Sequence, residues 1–156
     1  MDREMHLRQQ LSEPVSSETY EAIRRLWIEH SKAELDRNVD GLVATLVPDC
    51  CYEIIPTGQR WTGLDGARRF YLGFFDAFPD AEILATDLVI GPQGVVAVAE
   101  MTAAHLGPWM GTDPTGRRFS CQMVVRFPWN AIAEKFAGER VWFADNRGLL
   151  GALTEG

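Results

Sequence analysis

An α+β domain is the fold class this sequence predicts, and three observations lead there. Helical periodicity comes early: Tyr20, Ile23, Trp27, His30 or Ser31, and Leu35 recur at three- and four-residue spacing, and Asp65 to Phe78 carries five aromatic side chains. From Ala81 onward period two takes over in four runs, most cleanly where Phe119, Cys121, Met123, Val125 and Phe127 share one face. The chain has 156 residues, enough for one core and too few for two. Helices first and antiparallel strands afterwards place three helices on one side of a curved, antiparallel or mixed sheet. Such a sheet encloses a cone, whose interior is either filled with side chains or left as a pocket.

Each element has a local reason. Residues 1–16 are polar and read as a flexible N-terminal arm that can pack on a partner subunit; residues 17–156 form the single domain. Ser16 or Ser17 caps a helix running to about Asp36, and Asn38 caps a short one from Val39 to Leu46, stopped by Pro48. Cys50 to Ile55 reads as a strand, turned by Pro56–Thr57–Gly58, with Gln59 to Trp61 returning beside it. Pro79 ends the third helix. The four later strands are Glu82 to Ile90, Val95 to His105, Arg118 to Phe127 and Gly138 to Phe143. A Gly91–Gly94 turn, a Gly/Pro loop and a longer connection near Asn130 to Lys135 join them, and Gly148 to Leu150 reads as a tail folding back.

Composition removes several function classes. The net charge is −7 with no dense basic run, which argues against a nucleic-acid partner. No run approaches the roughly 18 apolar residues of a membrane span, and the first 30 residues lack the apolar core of a signal peptide. Three cysteines, two of them the adjacent Cys50 and Cys51, make no disulfide framework and fit a reducing cytoplasm. His6, His30 and His105 have no HxxxH spacing and no CxxC occurs, so neither a metal nor another cofactor is expected.

A series of short motifs runs through the chain in a telling order. Leu35–Asp36 and Val39–Asp40–Gly41–Leu42 stand at the helix junction, Pro48–Asp49 precedes the first strand, and Gly63 to Ala67 opens the third helix. Phe78–Pro79–Asp80 closes it, followed by His105–Leu106–Gly107, Trp109–Met110–Gly111, Pro114 to Arg118, and the ending Asp145 to Leu150. In this order the chain resembles the SnoaL-like polyketide cyclase branch of the nuclear-transport-factor-two-like superfamily, from about residue 19 to 152. The resemblance implies a cone fold and chemistry on small hydrophobic molecules, on a scaffold that hosts isomerases, dehydratases, cyclases and non-enzymes alike. It also implies an acidic residue on the last strand, where this chain has Trp142. A histidine of the preceding long strand is matched by Val125, and the first-strand aspartate of ketosteroid isomerases by Ile54. The cyclase mechanism therefore does not transfer directly.

Period-two phasing puts Cys50, Tyr52 and Ile54, Phe119, Cys121, Met123 and Val125, and Arg140, Trp142 and Ala144 on the pocket face. With Trp27, His30, Tyr71 and Trp109 they make an apolar, aromatic wall suited to a flat hydrophobic ligand. Three side chains are candidates for catalysis. Tyr52 can donate to a carbonyl or enolate oxygen, or is a core tyrosine meeting a backbone carbonyl. His105 can move a proton near neutral pH, or stitches its loop to the sheet. Asp145 can orient His105 or act as base, or caps the terminal turn. Arg140 on an apolar wall would clamp a carboxylate or phenolate, or pair with Glu53, Glu100 or Glu139.

Two functions follow. The first is an acid–base enzyme without a cofactor, an isomerase, cyclase, dehydratase or lyase acting through an enol or enolate on an aromatic or polyketide-like molecule. The alternative is a non-catalytic ligand-binding or accessory protein, favoured by the apolar residues at the family's acid and base positions. Thr102, Ser120, Gln122 and Arg126, on the outer face of the sheet, fit the interface of a homodimer.

Overall fold

The inward stripes of the helices and the alternating strands meet as the sequence expects. In the computed structural model, which describes residues 3–144, α1 (Arg3–Ser12), α2 (Ser17–Leu35) and α3 (Val39–Ala44) come first. They are followed by β1 (Leu46–Ile54), β2 (Gln59–Thr62) and α4 (Gly63–Ala77). Then come β3 (Glu82–Gly91), β4 (Gly94–Ala104), β5 (Arg118–Asn130) and β6 (Lys135–Phe143). Caps set the helix starts: the Ser16 side chain accepts from the Thr19 amide and that of Asn38 from the Gly41 amide. The strands form one mixed sheet in the order β2-β1-β6-β5-β4-β3, with β1 and β6 parallel and every other neighbour antiparallel. The sheet is curved and unclosed, the cone of the expected α+β class.

The core lies between this sheet and the inner faces of α2 and α4. Phe70, Tyr71, Phe74 and Ala77 of α4 are buried, and they face Cys50, Tyr52 and Ile54 of β1 and Phe119, Met123, Val125 and Phe127 of β5. The inward row of β4 is slender, with Ala97, Ala99 and Ala103 around Met101. Aromatic bulk from α4 therefore faces a wall of small side chains across the cone.

Four local expectations are corrected. The N-terminal arm is helical over α1, although no residue of α1 is buried. It stands over the β3–β4 turn, where Gln93 Nε2 donates to the Gln10 carbonyl (3.0 Å) and to Glu13 Oε2 (3.2 Å). The short helix stops at Ala44 because β1 already begins at Leu46; Pro48 falls between Leu46 and Cys51, where the register with β6 shifts. The connection after β5 is a tight turn in which Asn130 Oδ1 accepts from the Ile132 and Ala133 amides. The fourth correction concerns β6. Phe136 and Gly138 are buried, and then Glu139, Val141 and Phe143, so the alternation changes phase at Gly138. Gly138 has φ 108°, and a Cβ there would sit 2.0 Å from the Cys51 carbonyl oxygen, so only glycine lets β6 approach β1 this closely.

Candidate functional site

The phase change on β6 turns Glu139 into the cone, where it is 6% exposed. Unpaired, a carboxylate at that depth would cost several kcal/mol, roughly. Two helices supply partners. His30, on the inward stripe of α2 and wholly buried, brings Nε2 to 3.0 Å from Glu139 Oε1. Tyr71, on the inward face of α4, donates to the same oxygen at 2.5 Å and lies 3.0 Å from His30 Nε2. Tyr52 of β1 extends the chain, its hydroxyl 2.7 Å from that of Tyr71.

Donor bookkeeping directs the whole chain. Thr45 Oγ1 donates to the Leu42 carbonyl (2.7 Å), so towards His30 Nδ1, also 2.7 Å away, it can only accept. Nδ1 therefore carries a proton. His30 Nε2 and Glu139 Oε1 stand 3.0 Å apart, and the Tyr71 hydroxyl lies within hydrogen-bond reach of both. The Tyr71 proton points to Glu139, and Tyr52 donates to the Tyr71 oxygen in turn. The result is a continuous relay, Tyr52–Tyr71–Glu139–His30–Thr45, in a buried, aromatic setting. Phe127 and Phe136 meet the His30 ring edge-on, with centroids 5.4 and 6.0 Å away.

The electrostatics follow from burial. Desolvation, reinforced by the charge on Glu139, raises both Tyr52 and Tyr71 well above the ordinary phenol value, so both are proton donors at any physiological pH. Glu34, one helical turn beyond His30 and half-buried, has its carboxyl pushed up to about 7 by burial and by Glu139, against the pull of His30. Burial also pushes the Cys50 thiol up to about 11, which removes it as a nucleophile at neutral pH.

A family model, SnoaL-like polyketide cyclase, matches residues 19–150. The chain belongs to the SnoaL-like polyketide cyclase family. Solved structures carry the same fold. A protein from Jannaschia sp. CCS1, provisionally assigned to the SnoaL-like polyketide cyclases, has TM-score 0.73 and 22% identity over 92% of this chain and 96% of that one. AclR from Streptomyces galilaeus, provisionally a hydroxylase, has TM-score 0.68 and 22% identity over 88% and 83%. A provisional ketosteroid isomerase from Kribbella flavida has TM-score 0.62 and 17% identity over 81% and 80%. No curated protein matches the chain in sequence.

Against this SnoaL-like background the expected site residues divide into groups. Tyr52, His30 and Tyr71 are brought together in the relay. Ile54, Phe119, Met123 and Val125 are inward and buried, Cys121 is half-buried, and Trp27 packs half-buried against the core. Arg140 and Trp142 face the other way, contrary to the inward phasing. Arg140 lies on the outer face, 3.7 Å from Glu53, and Trp142 is 37% exposed, because Gly138 shifts the alternation by one residue. Ala144 is likewise exposed. Asp145 lies outside the described residues.

His105 is wholly buried but makes its hydrogen bonds elsewhere. Its Nδ1 meets Thr115 Oγ1 (3.1 Å) and accepts from the Thr115 amide (3.2 Å), while its backbone bonds to Arg117 and Gly116. The loop is pressed on α4, where the Leu106 and Gly107 amides both donate to the Ala77 carbonyl. A Cβ on Gly107 would lie 2.3 Å from the Asp76 carbonyl oxygen. Trp109 drops from this loop into the α4 aromatic row, 4% exposed and against Phe70, Phe74 and Phe78.

Sequence reasoning missed Glu139, Thr45 and Glu34. A signal for Glu139 existed: phasing β6 on Val141 and Phe143 instead of Trp142 turns Glu139 inward. The last strand of this family member thus carries an inward acid after all, three residues before the position first matched to it. An open groove of about 770 Å³ between α1 and the β3–β4 turn is a poorer candidate. Its lining of Leu7, Leu11, Val89 and Val96, with His6, Glu13 and Arg126 at intervals, converges on no hydrogen-bonded ionisable group other than the Glu13–Gln93 contact.

Proposed function

We propose that the chain is an acid–base enzyme that works with its own side chains on a small hydrophobic, aromatic or polyketide-like molecule. The reaction is an isomerisation, cyclisation, dehydration or lyase step through an enol or enolate. The observation that carries this reading is the buried contact of His30 Nε2 with Glu139 Oε1, 3.0 Å long, inside an apolar wall. A carboxylate–imidazole pair of this kind can take a proton from a carbon beside a carbonyl and return it elsewhere, and the Tyr52 hydroxyl, at the end of the relay, can donate to the developing oxyanion. In this scheme Glu139 and His30 handle the proton instead of His105 and Asp145.

The test uses 2-tetralone, an aryl ketone with acidic α-hydrogens, in D2O with exchange followed by proton NMR. The wild type should accelerate exchange over buffer, and Glu139→Gln with folding intact should lower that acceleration by about 10²-fold or more. Exchange no faster with wild type than in buffer, together with binding of the unchanged ketone, would leave the accessory-protein reading standing.

Assembly and location belong to the same proposal. Thr102, Ser120 and Gln122 are exposed and Arg126 is half-buried on a sheet face that also presents Val96, Val98, Val124 and Trp142. α1 borders the Val96 and Arg126 edge of that face, and the apolar and polar mixture of the rest supports a homodimer through it. A monomeric mass by light scattering at micromolar concentration would contradict this. Cys50, Cys51 and Cys121 form no disulfide among the described residues, in keeping with a reducing, cytoplasmic setting. No helix among the described residues is long and apolar enough to cross a membrane.

A further inference from the structure

The relay occupies only one end of the cone. Along the inward row of β5, Phe127 touches His30, whereas Phe119, eight residues and roughly 26 Å of strand away, touches Phe78 beside His105 and Trp109. Between them the wall is apolar: Met101 and the alanines of β4, Met123 and Val125 of β5, Phe143 of β6, and Phe70 and Phe74 of α4.

The chemistry of the far end is one-sided. The Thr115 amide donates to His105 Nδ1, so in the neutral ring the hydrogen is on Nε2. Desolvation lowers the His105 pKa and so favours that neutral ring. Nε2–H is buried without a hydrogen-bond partner, and so is the indole Nε1–H of Trp109. Both rings rest on Phe78, with centroids 5.6 and 5.4 Å away. Two buried donors left without acceptors each cost about 1–3 kcal/mol, and an oxygen atom between or beside them recovers that cost. Both groups are neutral N–H donors in this arrangement, so the oxygen that suits the pair is neutral.

We infer that the loop end of the interior is an oxygen-recognition site, in which His105 Nε2–H and Trp109 Nε1–H hold a neutral carbonyl oxygen of an aryl ketone or quinone-like ligand. The inference rests on the reading that the cone binds a small apolar molecule, and it deepens that reading by giving the molecule a second oxygen-bearing end, remote from the relay. His105 and Trp109 are then specificity-determining residues, and the slender β4 wall is the apolar span between the two polar ends.

The experiment compares 1-tetralone with tetralin, which differ by one carbonyl, in titrations of the full ¹⁵N-labelled chain. The chain has five tryptophans, and Trp109→Phe assigns the indole N–H signal of interest. The ketone should move the Trp109 indole and His105 Nε2–H signals downfield while tetralin does not, and it should bind about five- to tenfold tighter. In Trp109→Phe that preference should shrink by at least half. If Trp109→Phe folds poorly, nuclear Overhauser contacts with the Phe78 ring identify the Trp109 indole in the wild type, whose shifts then decide the matter. A preference unchanged in Trp109→Phe, equal shifts from both compounds, or no binding of either compound would each overturn the inference. Because the readout is binding, a chain that fails to exchange 2-tetralone protons can still pass, and the two failures stay distinct.

Discussion

Two histidine–threonine pairs sit at opposite ends of the cone, made of the same residues and wired in opposite senses. At the relay end Thr45 spends its proton on the Leu42 carbonyl, so its oxygen must accept from His30 Nδ1. At the loop end the Thr115 amide donates into His105 Nδ1. One imidazole thereby offers Nε2 to a carboxylate and a phenol, and the other presents a neutral N–H donor. Residue type alone does not set the role of a buried histidine; the direction of the hydrogen bond on its far nitrogen does.

The largest break in this comparison comes from removing Glu139. Glu139→Ala removes the acceptor that faces His30 and Tyr71 in a buried setting, a change worth about 3–5 kcal/mol where no other group compensates. Tyr71 lies 3.0 Å from Nε2 and can turn its hydroxyl there, so the lower part of that range is expected. Urea unfolding at pH 7 measures it. A loss below about 1 kcal/mol would mean that Glu139 does not hold His30 and Tyr71 in the folded protein.

Why Glu139 escaped the sequence reading is instructive. The inward faces of β1 and β5 were legible because their alternation is uninterrupted, from Cys50 to Ile54 and from Phe119 to Phe127. On β6 the phase turns at Gly138, whose positive φ belongs to a close approach to Cys51 that no local pattern announces. The three relay residues Tyr52, Tyr71 and His30 could be picked as polar groups on apolar faces. Their convergence could not, since His30 and Glu139 are 109 positions apart and meet only when β6 inserts between β1 and β5. The α1 helix was illegible for a different reason: it buries nothing, so it has no apolar stripe to read.

A smaller and more selective break is to remove each threonine hydroxyl in turn. Thr45→Val leaves His30 Nδ1–H buried and unpaired, which should cost about 1–3 kcal/mol. Thr115→Val keeps the backbone N–H that fixes the His105 tautomer, so under about 1 kcal/mol is expected and the Nε2–H form should persist in long-range ¹H–¹⁵N spectra. Equal costs at the two ends would show that the two imidazoles are not held in opposite senses.

The smallest effect is a pair of opposed pH slopes, and its sign follows from which state holds more protons. Glu34, beside the relay, has a folded pKa of about 7 against an ordinary 4.5. Between those values the folded chain holds more proton than the unfolded one, so this group's contribution to stability is present below about pH 4.5 and is lost as pH rises towards 7. His105 is shifted the other way, downward from 6.5 by burial. There the unfolded chain holds more proton, so its contribution is intact above pH 6.5 and is lost as pH falls below it. Glu34→Gln removes the first slope and leaves the second. The variant should exceed wild type in stability at pH 8 by on the order of 1 kcal/mol, a figure discounted for the partial exposure of Glu34, and match it near pH 4. A gap that stays constant from pH 4 to 8 would mean that neither burial nor Glu139 raises the Glu34 carboxyl in the folded protein.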